Sequence, residues 1–266
     1  MTATVFLTCG VAVFLLLFLL WIVSVRIRDA SIIDPFWGFG FVVVAWVCWL
    51  RFGGSNPESG LVTFLVSIWG LRLSAYLLWR NLGHEEDRRY AAMREKRGDS
   101  FWWKSLYIVF WLQALLLVVI SVPIQFSVTS TNGSIGWLVL MGCSVFAVGL
   151  FFETIGDWQL ARFKANPANH GSILDTGLWG LTRHPNYFGD FCVWWGLYLV
   201  AAAAGGWWTV FSPVLMSFLL MRVSGVTLLE SDIAERRPGY REYIQSTNAF
   251  FPGWKRTFTG NGTTGE

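Results

Sequence analysis

The chain has 266 residues, of which 54% are hydrophobic and 17% aromatic but only 14% charged. Soluble domains carry about 25% charged residues, so this composition excludes a conventional soluble enzyme, a disordered chain and a nucleic-acid-binding protein. The net charge of +3 is too small to favour a polyanionic partner. We predict an all-α fold in a polytopic membrane protein.

Seven apolar stretches are long enough to cross a bilayer, since a helical span needs about 20 mostly apolar residues. They cover roughly residues 5–25, 33–50, 61–79, 105–126, 135–156, 187–205 and 207–229. The first is not a signal peptide, because it lacks a basic start and ends in Arg26-Ile27-Arg28 where a cleavage site needs small residues. We expect one seven-helix domain over residues 1–256 and a polar, disordered tail over residues 257–266.

The basic residues define an orientation. Seventeen of the twenty lysines and arginines follow spans one, three, five or seven, and Arg51 alone lies on the opposite side. Because basic residues remain cytoplasmic, the N-terminus is predicted outside and the C-terminus inside. The protein would then be a multi-pass integral membrane protein, in the inner membrane if the source is prokaryotic.

Asp34 begins the second span in the segment 34–38 (DPFWG). Pro35 suits a first helical turn, so Asp34 could cap the helix through its carboxylate. Alternatively, the aromatic surroundings could desolvate the carboxyl, raise its pKa and let it donate a proton. The sequence leaves both interpretations open.

The third span carries a polar stripe. Arg72, Tyr76 and Arg80 are spaced four residues apart and share one face of a helix, with Asn81 next to them. Arg80 could simply extend to the interface, whereas Arg72 is too deep and needs an anion or a carbonyl partner. The stripe is therefore predicted to be functional.

Acidic residues lie at the cytoplasmic ends of three spans, where ionisable groups indicate function. They are Glu153, Asp157, Asp190 and Glu230. Basic residues of the loops, such as Lys164, would meet them at the same depth. The pattern predicts a charge-lined chamber that opens to the cytoplasm and holds a charged cofactor beside a lipid-like substrate.

The loop before span six reads RHPNYFGD over residues 183–190. It places Arg183, His184 and Asn186 just before a helix N-terminus, which itself attracts anions. For His184 we favour the role of a loop donor over a catalytic one. The chain contains neither a GxGxxG nor a P-loop motif, and its cysteines and histidines are too dispersed to predict a disulfide framework or a metal site.

Span five contains Gly142, Gly149 and Gly156 at heptad spacing. Small residues on one stripe let helices approach closely in lipid. We predict that this stripe packs against another helix.

The segment 183–190, together with 177–179 (GLW) and 194–195 (WW), resembles the signature of the membrane steroid 5α-reductase family, in particular its bacterial branch. The segments 34–38, 86–90 (EDRRY) and 237–243 (RPGYREY) fit the same branch, so the resemblance spans most of residues 26–253. Isoprenylcysteine carboxyl methyltransferases share the Arg-His-Pro-x-Tyr-x-Gly pattern.

The resemblance implies seven helices, NADPH as hydride donor and reduction of a carbon–carbon double bond conjugated to a steroid ketone. It implies Asp34 as the catalytic acid, with Ile33-Asp34 where mammalian enzymes carry Gln-Glu. The family's catalytic tyrosine falls on Trp69, so either Tyr76 substitutes for it or Asp34 acts alone. For the cofactor, the resemblance implies Glu153, Asp157, Lys164, Asn186 and Asp190. As further candidate cofactor-binding residues we add Arg72, Arg80, Asn81, Arg183, His184, Tyr187, Glu230, Arg237 and Tyr240.

We thus expect an NADPH-dependent reductase acting on a 3-oxo-Δ4 steroid or another lipophilic enone in the bilayer, without nucleic acid or an obligate protein partner. An S-adenosylmethionine-dependent lipid or isoprenylcysteine methyltransferase is the first alternative, although it gives no role to Asp34 or Arg72. A non-enzymatic sterol-binding membrane protein is the second.

Overall fold

The computed structural model describes residues 2–53, 56–131, 133–223 and 239–255. Within these ranges the chain is helical and forms no strand, which confirms the all-α prediction. The helices are α1 (Ala3–Ile27), α2 (Phe36–Phe52), α3 (Pro57–Asn81), α4 (Arg88–Arg97), α5 (Phe101–Ser105), α6 (Leu112–Ile120), α7 (Val122–Thr129), α8 (Trp137–Ala165), α9 (Pro185–Ala203), α10 (Phe211–Phe218) and α11 (Tyr240–Ser246).

Among the described residues, four helical segments are long and apolar enough to cross a membrane: α1, α3, α8 and the continuous run Arg88–Ile120 that contains α4 to α6. Helix α2 is apolar but shorter, with 17 residues. These helices are compatible with an integral multi-pass membrane protein. Each predicted span overlaps a described helix, and the end of the seventh span, Glu230, Arg237 and the predicted tail lie outside the described residues.

The chain divides into two compact units. Unit 1 comprises Met1–Gly142 and Leu197–Ser212, and unit 2 comprises Cys143–Gly196 and Pro213–Glu266. The boundaries fall inside helices α8, α9 and α10 and not at linkers. Each unit is therefore described separately below.

In unit 1, helix α1 buries one face and exposes the other. A residue on the buried face recurs at every fourth position from Val5 to Leu17, and the exposed face follows the same spacing from Leu7 to Val23. Side chains four residues apart lie on the same side of a helix, so these are two continuous stripes. Because the exposed stripe consists of leucine and valine, it suits contact with lipid better than contact with water.

Helix α2 packs mainly against α3, and glycines permit their close approach. A methyl group added at Gly70 would lie 2.5 Å from the carbonyl oxygen of Gly38. Beside this contact, the rings of Phe41 and Trp69 are 5.7 Å apart and fully buried. The contact fixes the start of α2, which follows Asp34.

In unit 2, helices α8 and α9 meet at the predicted glycine stripe. A methyl group at Gly149 would lie 2.5 Å from the carbonyl oxygen of Gly189, and one at Gly156 would lie 3.3 Å from the ring of Pro185. The packing prediction is confirmed for these two glycines. The close contact brings Glu153 and Asp157 of α8 next to the first turns of α9.

Candidate functional site

The candidate site in unit 1 is built around Asp34, in the turn between α1 and α2. A short 3₁₀ turn, Ser31–Ile33, leads into Asp34, and α2 begins only at Phe36 with Pro35 as its N-cap. The carboxylate of Asp34 accepts no hydrogen bond from a backbone N–H group within the described residues. Capping of α2 is therefore not the role that the structure gives to this side chain.

The carboxylate of Asp34 instead binds two side chains from the first turn of α4. The Tyr90 hydroxyl donates to Oδ1 over 2.7 Å, and Nη2 of Arg89 donates to Oδ2 over 2.8 Å. Asp87 caps α4 by accepting a hydrogen bond from the Arg89 backbone N–H at 2.9 Å. Because the cap fixes the first turn, it also fixes the two groups that hold Asp34.

Tyr90 belongs to a longer hydrogen-bonded chain. The amide nitrogen of Gln113 donates to the Tyr90 hydroxyl oxygen over 3.2 Å, and the indole N–H of Trp37 donates to the amide oxygen of Gln113. Each donor in this series is thus paired, which orients the Tyr90 proton toward Asp34. The result is a carboxyl group and a hydroxyl group held as a preorganised pair.

The pKa values of Asp34 and of the neighbouring Asp87 are shifted in opposite directions. Burial raises the pKa of the Asp34 carboxyl above its ordinary value, although Arg89 and the Tyr90 hydroxyl oppose the rise. Burial acts in the same direction on Asp87, but the hydrogen bonds and charge of Arg89 outweigh it and lower the pKa of that carboxyl. Asp34 therefore keeps its proton to a higher pH than an ordinary carboxyl, and Asp87 remains ionised to a lower pH. Sites that combine a proton donor with a permanent anion show the same separation of pKa values.

Tyr76 does not pair with Asp34. It lies on α3 with its ring centroid 6.0 Å from that of Trp79, and it is not among the hydrogen-bond partners of Asp34. Trp69 is buried in the α2–α3 contact. The hydroxyl beside Asp34 therefore comes from Tyr90, which lies in the segment 86–90 and was not predicted as a site residue.

The remaining arginines of the stripe, Arg72 and Arg80, lie in the C-terminal half of α3. Arg72 is half-buried, and Arg80 is exposed and donates from Nε to the Asn81 side-chain oxygen over 3.1 Å. The positive charge of Arg80 lowers the pKa of both Asp34 and Asp87, as a smaller effect than burial. The charge of Arg80 thus acts on Asp34 and Asp87 without a direct bond to either carboxylate.

The candidate site in unit 2 surrounds the start of α9. Glu153 and Asp157 on α8 are both buried, and Oδ1 of Asp157 accepts a hydrogen bond from the Asn186 amide over 3.3 Å. Asp190 lies one turn further along α9 and is half-buried. The structure thus joins Asn186 and Asp157, two of the residues that the resemblance assigns to the cofactor, by a hydrogen bond.

Arg183 and His184 have contacts that the sequence analysis did not anticipate. Nη1 of Arg183 donates to the carbonyl oxygens of Ile244 and Thr247 over 2.9 and 2.6 Å, so the guanidinium group holds the C-terminal end of α11. The imidazole ring of His184 stacks on the ring of Tyr187 at 5.5 Å. Both side chains are buried and help to shape the loop before α9.

The other predicted cofactor residues in unit 2 occupy different surroundings. Tyr240 is buried with its ring 5.8 Å from that of Tyr243, whose hydroxyl donates to the Trp179 carbonyl oxygen. Lys164 is exposed near the end of α8. Glu230 and Arg237 lie outside the described residues. Within the described ranges, no group of three or more metal-ligating side chains occurs.

A cavity of about 480 Å³ opens beside the last turns of α8. Trp158, Arg162, Asn166 and Asn169 line it, and the Arg162 guanidinium lies 5.5 Å from the centroid of the Trp158 ring. An aromatic face, a cation and side-chain amides are groups that bind an aromatic base and a phosphate. None of the residues predicted to bind the cofactor lines this cavity, so sequence reasoning missed it.

Residues 20–247 match the family model described as "Protein of unknown function (DUF1295)". The chain belongs to this family. An uncharacterized protein of Schizosaccharomyces pombe is 25% identical over 267 aligned residues, which cover 88% of this chain and 75% of that protein. A probable O-methyltransferase, ustE, of Ustilaginoidea virens is 44% identical over 53 residues, or 20% of this chain and 18% of that protein. No solved structure matches the DUF1295 chain.

Proposed function

We propose that this DUF1295 protein is an NADPH-dependent membrane reductase. Its substrate would be a 3-oxo-Δ4 steroid or a similar lipid enone, and its product the 5α-reduced ketone. The observation that supports this proposal most directly is the 2.7 Å hydrogen bond between the Tyr90 hydroxyl and the Asp34 carboxyl. The resemblance to steroid 5α-reductases adds independent support.

Asp34 and Tyr90 suit the proton-transfer steps of the reaction. When the β-carbon of an enone accepts a hydride, negative charge develops on the ketone oxygen, and a positioned donor stabilises it. Burial raises the pKa of Asp34 above its ordinary value, which is the direction that a general acid requires. Asp34 and Tyr90 would share the proton that the ketone oxygen receives, and the α-carbon would then take a proton as the enol reverts to the ketone.

The unit 2 residues fit a dinucleotide cofactor, which when bound supplies the hydride and its two electrons. The buried Asp157 can accept hydrogen bonds from hydroxyl groups, and Asn186 offers both a donor and an acceptor. Arg162 and Trp158 offer a cation and an aromatic face in the neighbouring cavity. A carboxylate, an amide and a cation together match ribose and phosphate groups.

We also propose the finer topology: seven spans, with the N-terminus outside and the C-terminus and all long loops in the cytoplasm. In a prokaryote, the protein would lie in the inner membrane with its cofactor site facing the cytoplasm. The charge asymmetry between the two sides of the spans supports this orientation. The bilayer would supply the lipophilic substrate, and the reaction requires no nucleic acid and no obligate protein partner.

A methyltransferase is the second candidate, because a specific observation favours it. The 53-residue match to a probable O-methyltransferase reaches 44% identity, although it covers only a fifth of the chain. Such an enzyme would bind S-adenosylmethionine where we propose NADPH. It would not require the Asp34–Tyr90 pair.

Nucleotide binding by the purified full-length protein distinguishes the two candidates. We expect NADPH to bind and S-adenosylmethionine not to compete with it. Asn186→Ala should weaken NADPH binding by about 1–3 kcal/mol, because the buried Asp157 loses its partner. Asn56→Ser, which retains a capping oxygen at the start of α3 in unit 1, should leave the affinity unchanged. Competition by S-adenosylmethionine, or an Asn186→Ala variant with intact folding and normal affinity, would contradict the proposal.

A further inference from the structure

Unit 1 contains a second cavity, of about 510 Å³, between the C-terminal end of α1 and the segment that links α4 to α5. Ser24 and Arg28 line it from α1, and Arg94, Asp99 and Trp102 line it from the other side. Its volume lies within the range of about 300–1,000 Å³ that is typical of small-molecule sites. None of these residues has a role in the proposed reductase.

The charges on this cavity are distributed unevenly. Nε and Nη2 of Arg94 donate to the two carboxylate oxygens of Glu86 over 2.9 and 2.8 Å. The positive charge of Arg94 is therefore already neutralised by Glu86. The guanidinium group of Arg28 has no hydrogen bond or ion pair with any described residue. The carboxylate of Asp99 likewise has no partner within the described residues. Arg28 and Asp99 are both exposed, and they thus place one cation and one anion without a described partner on the same cavity.

The backbone at Arg28 is strained in a way that glycine would avoid. Its φ of 55° lies in the left-handed region, and it ends α1 by donating its N–H to the Ser24 carbonyl oxygen. Helices that end in this conformation usually use glycine, because a side chain is disfavoured there. The carbonyl oxygen of Arg28 also accepts a hydrogen bond from Arg94. An arginine at this position therefore needs a reason beyond the turn itself.

The surroundings of the cavity suit a lipid. The exposed stripe of α1 continues through Val23 and Ile27 directly to Arg28. Trp102 is 55% exposed and stacks on Trp21, whose indole N–H donates to the Trp102 carbonyl oxygen. Tryptophans concentrate at the boundary between the hydrocarbon and the headgroups, so the cavity lies where headgroups are found.

We propose that this cavity binds the headgroup of a zwitterionic phospholipid of the phosphoethanolamine type. Its phosphate would bind Arg28, its ammonium group would bind Asp99, and its acyl chains would lie along the exposed stripe of α1. A phosphate and an ammonium group match the two unpaired charges one for one, whereas an anionic headgroup would leave Asp99 opposed by a like charge. The inference does not depend on the proposed reductase activity.

Native mass spectrometry of the detergent-purified full-length protein tests the site with dioctanoyl phosphatidylethanolamine, dioctanoyl phosphatidylglycerol and inorganic phosphate. The wild type should retain the ethanolamine lipid at a concentration about tenfold lower than the glycerol lipid, and phosphate should not compete at the same concentration. Equal retention of the two lipids, or competition by inorganic phosphate, would overturn the proposal.

Substitutions test the contributions of Arg28 and Asp99 to lipid binding separately. Arg28→Gln should weaken retention of the ethanolamine lipid about tenfold, and Arg28→Lys should keep most of it. Asp99→Asn should instead abolish the preference for ethanolamine over glycerol. Arg51→Gln, an exposed arginine at the end of α2, is the matched control and should have no effect. An Arg28→Gln variant with a normal melting temperature and normal retention, or an Asp99→Asn variant that keeps the preference, would refute the assignment.

Discussion

The proton between Asp34 and Tyr90 is the smallest feature on which the proposed chemistry depends. The two oxygen atoms are 2.7 Å apart, and Arg89 binds the other carboxylate oxygen. The acid itself was predictable from its proline-started, aromatic segment. Its partner was not, because 56 residues separate the pair along the chain and no local pattern reports so distant a contact. Sequence spacing within α3 pointed to Tyr76 instead.

Asp34→Asn tests the acid role. Asparagine keeps the shape of the side chain but cannot release a proton, so enone reduction should fall by about 10²–10³. Tyr90→Phe should also reduce the rate strongly, whereas Tyr76→Phe, the matched control, should stay near wild type. Steady-state rates with saturating NADPH give the comparison. The account of Asp34 fails if its asparagine variant turns over at the wild-type rate with unchanged NADPH affinity.

At the scale of helices, glycines and one ion pair hold the elements that present the candidate residues. The α8–α9 contact was predictable because glycine at regular spacing has few other uses in an apolar helix. The exposed side of α1 was not, since that helix is apolar all round and its sequence marks neither face. The role of Glu86 at the start of α4 was also invisible, because its partners include a backbone N–H of Ala30.

Gly149→Ala tests the close contact of α8 with α9. The added methyl group would lie 2.5 Å from the Gly189 carbonyl oxygen and 2.6 Å from the Val193 nitrogen, so the helices must separate. We expect a loss of stability of about 1–3 kcal/mol, as for other overpacked positions. Gly60→Ala in α3, where nothing lies within 4 Å, is the control and should be neutral or slightly stabilising. Equal melting temperatures for the two variants would count against the contact.

Glu86→Gln tests the ion pair that fixes α4, and its effect should depend on pH. Although burial opposes it, the hydrogen bonds from Arg94 and from the Ala30 N–H lower the pKa of Glu86 below its ordinary value. Its stabilisation is therefore complete above the unfolded-state pKa of about 4.3 and disappears as the pH falls through the lower folded-state value. At neutral pH, the variant should be less stable by about 1–3 kcal/mol.

The free energy of unfolding of the wild type and of Glu86→Gln would be measured from neutral pH into the acid range. The difference in stability between the two proteins should shrink as Glu86 becomes protonated in the wild type. Glu95→Gln, on the same helix but exposed, should leave stability nearly unchanged at every pH. A difference for Glu86→Gln that stays constant into the acid range would show that the carboxylate charge is not responsible.

For the whole molecule, composition and hydropathy were sufficient to predict an all-helical chain with membrane-spanning helices, because the bilayer dictates both the length and the polarity of a span. The division into two compact units had no counterpart in the sequence. Its boundaries fall inside helices α8, α9 and α10, where no glycine- or proline-rich linker marks them. The cavity beside Arg162 was likewise hidden, because it forms where the loop after α8 folds back on the end of that helix, and no local sequence pattern marks such a fold.

Reporter fusions test the proposed orientation of the whole chain. Fusions after residues near 95, 170 and 257 should all report a cytoplasmic location, because the basic segments lie on that side. A fusion after a residue near 55 should report the opposite side and serves as the control. An external signal from any of the first three positions would refute the topology.

The reductase proposal is tested most directly by hydride transfer itself. Purified wild-type protein would be supplied with a 4-en-3-one steroid and with NADPH in which both hydrogens of the hydride-donating carbon are replaced by deuterium, and the product would be analysed by mass spectrometry. We predict a 5α-reduced ketone with deuterium at the β-carbon, formed in equal amount to the NADPH consumed. NADPH consumption that is independent of the enone, or a product without deuterium at that carbon, would contradict the account.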